Sequence, residues 1–233
     1  MNTAAKWFKN DPLLLIADGN HDTIILKRHE TDLLERLHAL LREGGNAVVH
    51  RGGFSGWVRF MFSYRSERKS LKLAYHHGYG GDAPVTKGTI QTNRMAVYLP
   101  DADFVCTGHT HNEWQFPIAR LRLSDSGRVY HDEQLHLELP SYKDEYREGE
   151  GGWTIERGGP PKPIGATWLR LFFEGHNGGF RIGSEITRAS SITSRQSIFQ
   201  WPMLCGTGPV SSSASSRANS TAASRRSRKK SMN

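Results

Sequence analysis

Gly108-His109-Thr110-His111, closing the apolar run Ala102-Asp103-Phe104-Val105-Cys106, sets two imidazoles at i and i+2 just beyond a short strand. In an extended segment those two positions point the same way. Gly108 lets the backbone turn close to whatever the imidazoles hold. Such a pair suits one metal ion or two, whereas an isolated H-x-H is more often a polar surface loop. Two clusters upstream separate these readings. Asn20-His21-Asp22 follows the apolar run Leu13–Ala17, and His76-His77-Gly78 follows Leu71–Tyr75. Strands of one sheet set their C-terminal ends along one edge, where open α/β sheets bind ligands. The three clusters are therefore expected to converge.

Outward from these clusters the pattern is α/β. Leu13–Ala17 reads as a strand buried on both faces. A helix is expected next, with Thr31 as N-cap, Asp32 and Glu35 in its first turn, and Leu33, Leu34, Leu37, Leu40 and Leu41 as its buried face. Gly44-Gly45 stops it. Ala47–His50, Trp57–Tyr64 and Leu71–Tyr75 read as strands, and a helix is expected around Ile90–Tyr98. Beyond His111 the pattern becomes all-β. Trp114–Leu123 and Arg128–Leu139 flank the turn Ser124–Gly127, and Trp168–Glu174 and Phe180–Ile186 form a last hairpin. Residues 140–165, with Pro160-Pro161-Lys162-Pro163, read as a long wrapping loop. Met1–Asp11 reads as an arm or helix end.

The net charge of +8 is uneven: residues 1–189 hold 24 Lys+Arg against 23 Asp+Glu, and residues 190–233 hold 7 Lys+Arg and no acids. The basic balance thus describes a Ser/Arg-rich tail, expected to be disordered because it cannot offset its chain entropy by burial. Arg225-Arg226-Ser227-Arg228-Lys229-Lys230 could contact nucleic-acid phosphates, or be a solvated end. Two cysteines, Cys106 and Cys205, rule out a disulfide framework and fit a reducing compartment. The longest N-terminal apolar run is five residues, too short for a signal peptide or a membrane span. A soluble cytoplasmic protein is expected.

In their order, Gly19-Asn20-His21-Asp22, His77-Gly78 after a strand, and Gly108-His109-Thr110-His111 resemble the last three of the five motifs of the calcineurin-like metallophosphoesterases. Gly158-Gly159-Pro160-Pro161 is similar to phage and prophage members. The resemblance implies a sandwich of mixed β-sheets flanked by helices, occupying residues 1–189. It implies two divalent metal ions about 3.5–4 Å apart. Mn²⁺ comes first, with Fe, Zn²⁺ or Ni²⁺ as alternatives, since neutral nitrogen and amide ligands disfavour Ca²⁺ and Mg²⁺. By the same resemblance Asn20, His77 and His109 would bind one metal and His111 the other. Asn20 and His21 would contact the substrate phosphate. His21 would be the general acid, with Asp22 holding its imidazole in the right tautomer. His77 is preferred to His76 because Gly follows it.

The family's first two motifs, D-x-H and G-D-x-x-[DN], do not occur in the eighteen residues before Gly19. The chain is therefore expected to be the C-terminal two-thirds of the family domain, with the rest in a longer chain or a partner. The four remaining ligands are all neutral, which removes most of the Coulombic attraction for two dications. Asp18 reads as a turn residue or as a substitute ligand. Two functions follow. One is a metallophosphoesterase cleaving a phosphodiester or phosphomonoester by a metal-bound hydroxide. The other is a non-catalytic remnant or nucleic-acid-binding module on a phosphoesterase scaffold.

Overall fold

A computed structural model describes residues 13–81, 85–146, 149, 151–176, 179–189 and 201–202. The chain is a mixed α/β structure without a barrel. Its centre is a five-stranded sheet of order β3-β4-β5-β7-β6, comprising β3 (Ser55–Tyr64), β4 (Glu67–His76), β5 (Phe104–Thr107), β6 (Trp114–Leu123) and β7 (Val129–Glu138). The three inner strands are parallel, and β3 and β6 are antiparallel edges supplied by hairpins. Parallel neighbours need a crossover. Helix α3 (Thr89–Tyr98) provides the one between β4 and β5.

Period-2 alternation places the core. Leu71, Leu73 and Tyr75 of β4 join Phe104, Cys106, Leu137 and Leu139 on one face. That face is covered by Leu169, Leu171, Ile182 and Ile186 of a second sheet. The second sheet has the order β10-β8-β9, with β8 (Thr167–His176), β9 (Gly179–Arg188) and β10 (Trp201–Pro202). The opposite face, through Ala74 and Val105, packs on Met95 of α3 and on Ala102. Within the tail expected to be disordered, Trp201–Pro202 pairs with Leu169 and Trp168 of β8. The rest of the tail, Arg225–Lys230 included, lies outside the described residues, as do Met1–Asp11.

The N-terminal part departs furthest from expectation. β1 (Leu15–Ile16) pairs in parallel with β2 (His50–Arg51) in a separate two-stranded sheet. The Asn20-His21-Asp22 cluster is not a strand end but the first turn of a helix, α1 (Asn20–His29). In α2 (Leu33–Glu43) the N-cap is Asp32, not Thr31, because the Asp32 carboxylate accepts the Glu35 N–H at 2.8 Å. The expected leucine face is largely solvent-facing. Only Leu41 is buried, against Ile16 and Val49, while Leu33, Leu37 and Leu40 are 43%, 40% and 61% exposed. One turn of packing on a two-residue sheet cannot cover three turns of helix. Within the stretch expected as a long loop, Ser141 bridges Ile164 and a short helix, α4 (Trp153–Glu156), lies between them. Among the described residues, no helix is long and apolar enough to cross a membrane.

Candidate functional site

Parallel pairing of β4 with β5 builds the site. The register sets His76 against Thr107, so the next residues of the two strands, His77 and Gly108, leave the sheet side by side. The Gly108 N–H donates to the His77 carbonyl at 3.2 Å, which carries the pairing one residue past the strands. Gly78 (φ +102) is required at this point. A Cβ there would lie 2.5 Å from the Gly108 carbonyl oxygen and 2.8 Å from His109 Cβ. The N-terminus of α1 arrives from the other sheet. Asn20 Oδ1 lies 2.8 Å from His77 Nε2, and His109 Nδ1 lies 3.2 Å from the same nitrogen. Asn20, His77 and His109, the expected ligands of one metal, thus converge. They converge from a helix start and two neighbouring strands, not along one sheet edge.

The contacts around His77 Nε2 have a chemical consequence. An imidazole nitrogen carries one in-plane proton or one in-plane lone pair, so only one of its two contacts can be a linear hydrogen bond. Adjacent donors around a single ion with metal–nitrogen bonds of about 2.1 Å stand about 3.0–3.4 Å apart. The observed 2.8 and 3.2 Å separations are close to that spacing. Burial draws the His77 pKa down to about 4, helped by His109 and His76 and opposed by the Asp22 carboxylate. The ring is therefore neutral near pH 7, as a ligand must be. The edge of Phe54 packs against it at 5.0 Å. His76 is turned elsewhere: its Nδ1 accepts the Gly78 N–H at 2.8 Å.

The other expected residues do not all join this centre. β5 ends at Thr107 and the histidine turn is not extended. His109 (φ 73) and His111 (φ 58) both lie in the left-handed region, which removes the strand geometry that would align i with i+2. His109 reaches His77, with ring centroids 5.1 Å apart. His111 is half-buried beside Lys143 and Lys162, and burial together with those cations and His109 lowers its pKa. His21 is exposed on the first turn of α1. Asp22 does not hold the His21 ring. Its carboxylate accepts the Gly19 N–H at 3.1 Å, closing the helix start. Asp18 pairs with Arg51 at 2.6 Å. Among the described residues, no three His, Cys, Asp or Glu side chains are grouped to hold a metal ion.

Sequence reasoning missed Glu138, Thr110, Asn112 and Lys162. Glu138 is buried at the C-terminal end of β7, in register with Thr107, and accepts from Thr107 and Thr110. The available signal was a carboxylate alternating with the core leucines in Leu135-His136-Leu137-Glu138-Leu139. No protein-family model, curated protein or solved structure matches the chain.

Proposed function

We propose that this chain is a calcineurin-like metallophosphoesterase whose Asn20, His77 and His109 would hold a divalent metal ion, Mn²⁺ first. The observation that carries the reading is the double contact at His77 Nε2, where a cation would accommodate both neighbours and only one linear hydrogen bond can form. The donor set fits such an ion: two neutral imidazoles and an amide oxygen. The ion, when bound, supplies a Lewis acid that polarises a phosphoryl oxygen and acidifies a coordinated water. The chain's own groups supply the rest. Asn20 opens α1 beside the centre, so the positive end of that helix's dipole would favour a phosphate there. His21, exposed on that turn, would give its proton to the leaving oxygen as water adds to phosphorus and the ester P–O bond breaks. His111, beside Lys143 and Lys162, would stand on the side of a second ion or of the substrate's negative charge.

The test is Mn²⁺-stimulated hydrolysis of bis(p-nitrophenyl) phosphate by the full chain. His109→Ala abolishes it on this reading, and equal turnover by that variant would refute the assignment. One observation favours the non-catalytic alternative: among the described residues no group of three His, Cys, Asp or Glu side chains is placed to hold a metal ion. A chain that binds no Mn²⁺ and hydrolyses nothing would be that scaffold protein.

A further inference from the structure

Behind the histidine turn runs a chain of hydrogen bonds in which every donor points the same way. Lys162 Nζ donates to Asn112 Oδ1 at 3.0 Å, and Asn112 Nδ2 donates to Thr110 Oγ1 at 3.1 Å. Thr110 Oγ1 in turn donates to Glu138 Oε1 at 2.7 Å. The second Glu138 oxygen accepts from Thr107 Oγ1 at 2.5 Å. Aligned links polarise one another, and a buried carboxylate whose oxygens both accept is a firm anchor.

The turn so anchored is strained. A non-glycine residue in the left-handed region costs about 1–2 kcal/mol, and here His109 and His111 both lie in it, separated only by Thr110. Strain of this kind persists where the surroundings over-determine the backbone. Thr110 meets that condition, being tied by its side chain on both sides. Glu138 reaches it because β7 is parallel to β5 and its register brings Glu138 level with Thr107. The three parallel strand ends thus divide the work. β4 and β5 present the imidazoles, and β7 presents the anchor.

We propose that Thr110 and Glu138 are positioning residues that hold the histidine turn in the conformation aiming His109 at His77, with Asn112 and Lys162 tying the 140–165 segment to the same anchor. The proposal rests on the metal-site reading for its purpose, but its structural content can be measured without metal.

The experiment uses the full chain and four proteins: parent, Thr110→Val, Thr110→Ser and Asn112→Ala. Amide hydrogen exchange is read at Gly108 and Thr110 without metal, and Mn²⁺ affinity by calorimetry. Thr110→Val keeps the volume and loses the hydroxyl. It should exchange at least tenfold faster at both amides, leave Val105 and Cys106 protected, and bind Mn²⁺ ten- to a hundredfold more weakly, the range for outer-shell partners of metal ligands. Thr110→Ser should restore both. Exchange in Thr110→Val equal to the parent's, or an unchanged Mn²⁺ affinity, overturns the proposal. If the parent binds no Mn²⁺, the metal reading fails and exchange alone decides the positioning claim. If Thr110→Val does not fold, Asn112→Ala decides: faster exchange at Gly108 and Thr110 supports the proposal, and parental exchange overturns it.

Discussion

Replacing Gly78 with alanine tests the geometry that brings the two imidazoles together. The cost has two parts. The backbone sits at φ +102, where any Cβ is strained by about 1–2 kcal/mol. The new methyl would also lie 2.5 Å from the Gly108 carbonyl oxygen and 2.8 Å from His109 Cβ. Neither the carbonyl nor a Cβ can rotate away, so the turn itself must move, an overpacking cost of about 1–3 kcal/mol. The sum is about 2–5 kcal/mol, or a Tm lower by roughly 4–20 °C in a domain of this size. Gly45→Ala is the matched control, because Gly45 has φ +101 and nothing within 4 Å of where its added methyl would sit. It should lose only the backbone part, and the stiffening of the unfolded chain is common to both variants. Thermal denaturation of the two variants, followed by Mn²⁺ titration, reads the difference. Equal Tm losses in the two, or full Mn²⁺ affinity in Gly78→Ala, would refute the claim that close approach at Gly78 sets the His77–His109 geometry.

Acid stability should report on His136, which is 2% exposed, lies 2.9 Å from Gln134 Oε1, and is drawn by burial and Arg120 from 6.5 to about 4. The unfolded chain binds the extra proton between those values, so this stability is present above about pH 6.5 and is lost as pH falls toward 4. Between pH 7 and pH 5 it amounts to about 2 kcal/mol, and a urea midpoint that falls less steeply in His136→Phe would show it. Asp32→Ala, by removing the cap on Glu35 N–H, should cost about 1 kcal/mol in denaturant melts. Leu40→Lys, on the exposed face of α2, should change stability by less than about 0.5 kcal/mol. A loss above about 2 kcal/mol would mean that this face is covered.

The long hairpin strands were legible because they announce themselves twice, by period-2 alternation and by their turns, whereas the strand expected at Ala47–His50 is only His50–Arg51 and Trp201–Pro202 was not foreseen. Trp57, Arg59, Met61 and Ser63 face outward and Val58, Phe60 and Phe62 inward, as their alternation requires. The Trp114–Leu123 strand has the expected bounds. Helix α1 was not legible: its ten residues carry little periodicity, and the polar cluster that opens it reads equally well as a strand end. The leucine face of α2 shows the opposite failure. Its period is strong, yet period says only which residues share a face and not what covers it. At the site, the resemblance grouped Asn20, His77 and His109, but the sequence did not give the route by which they meet. The His77–His109 contact follows from the register of β4 on β5, a non-local fact. Glu138 lies far along the chain from the turn it anchors, joined to it only through pairing of β7 with β5. The left-handed turn at His109 and His111 could not be read from the sequence, because histidine, though enriched there among non-glycine residues, adopts that region only in a minority of cases.

Whether the convergence at His77 Nε2 is a metal-binding centre is tested most directly by calorimetric titration of Mn²⁺ into the full chain, repeated with His77→Ala and His76→Ala. A metal centre there predicts saturable binding by the parent, loss of that binding in His77→Ala, and its retention in His76→Ala, whose ring serves the Gly78 amide instead. Absence of binding by the parent, or equal binding by parent and His77→Ala, would contradict it.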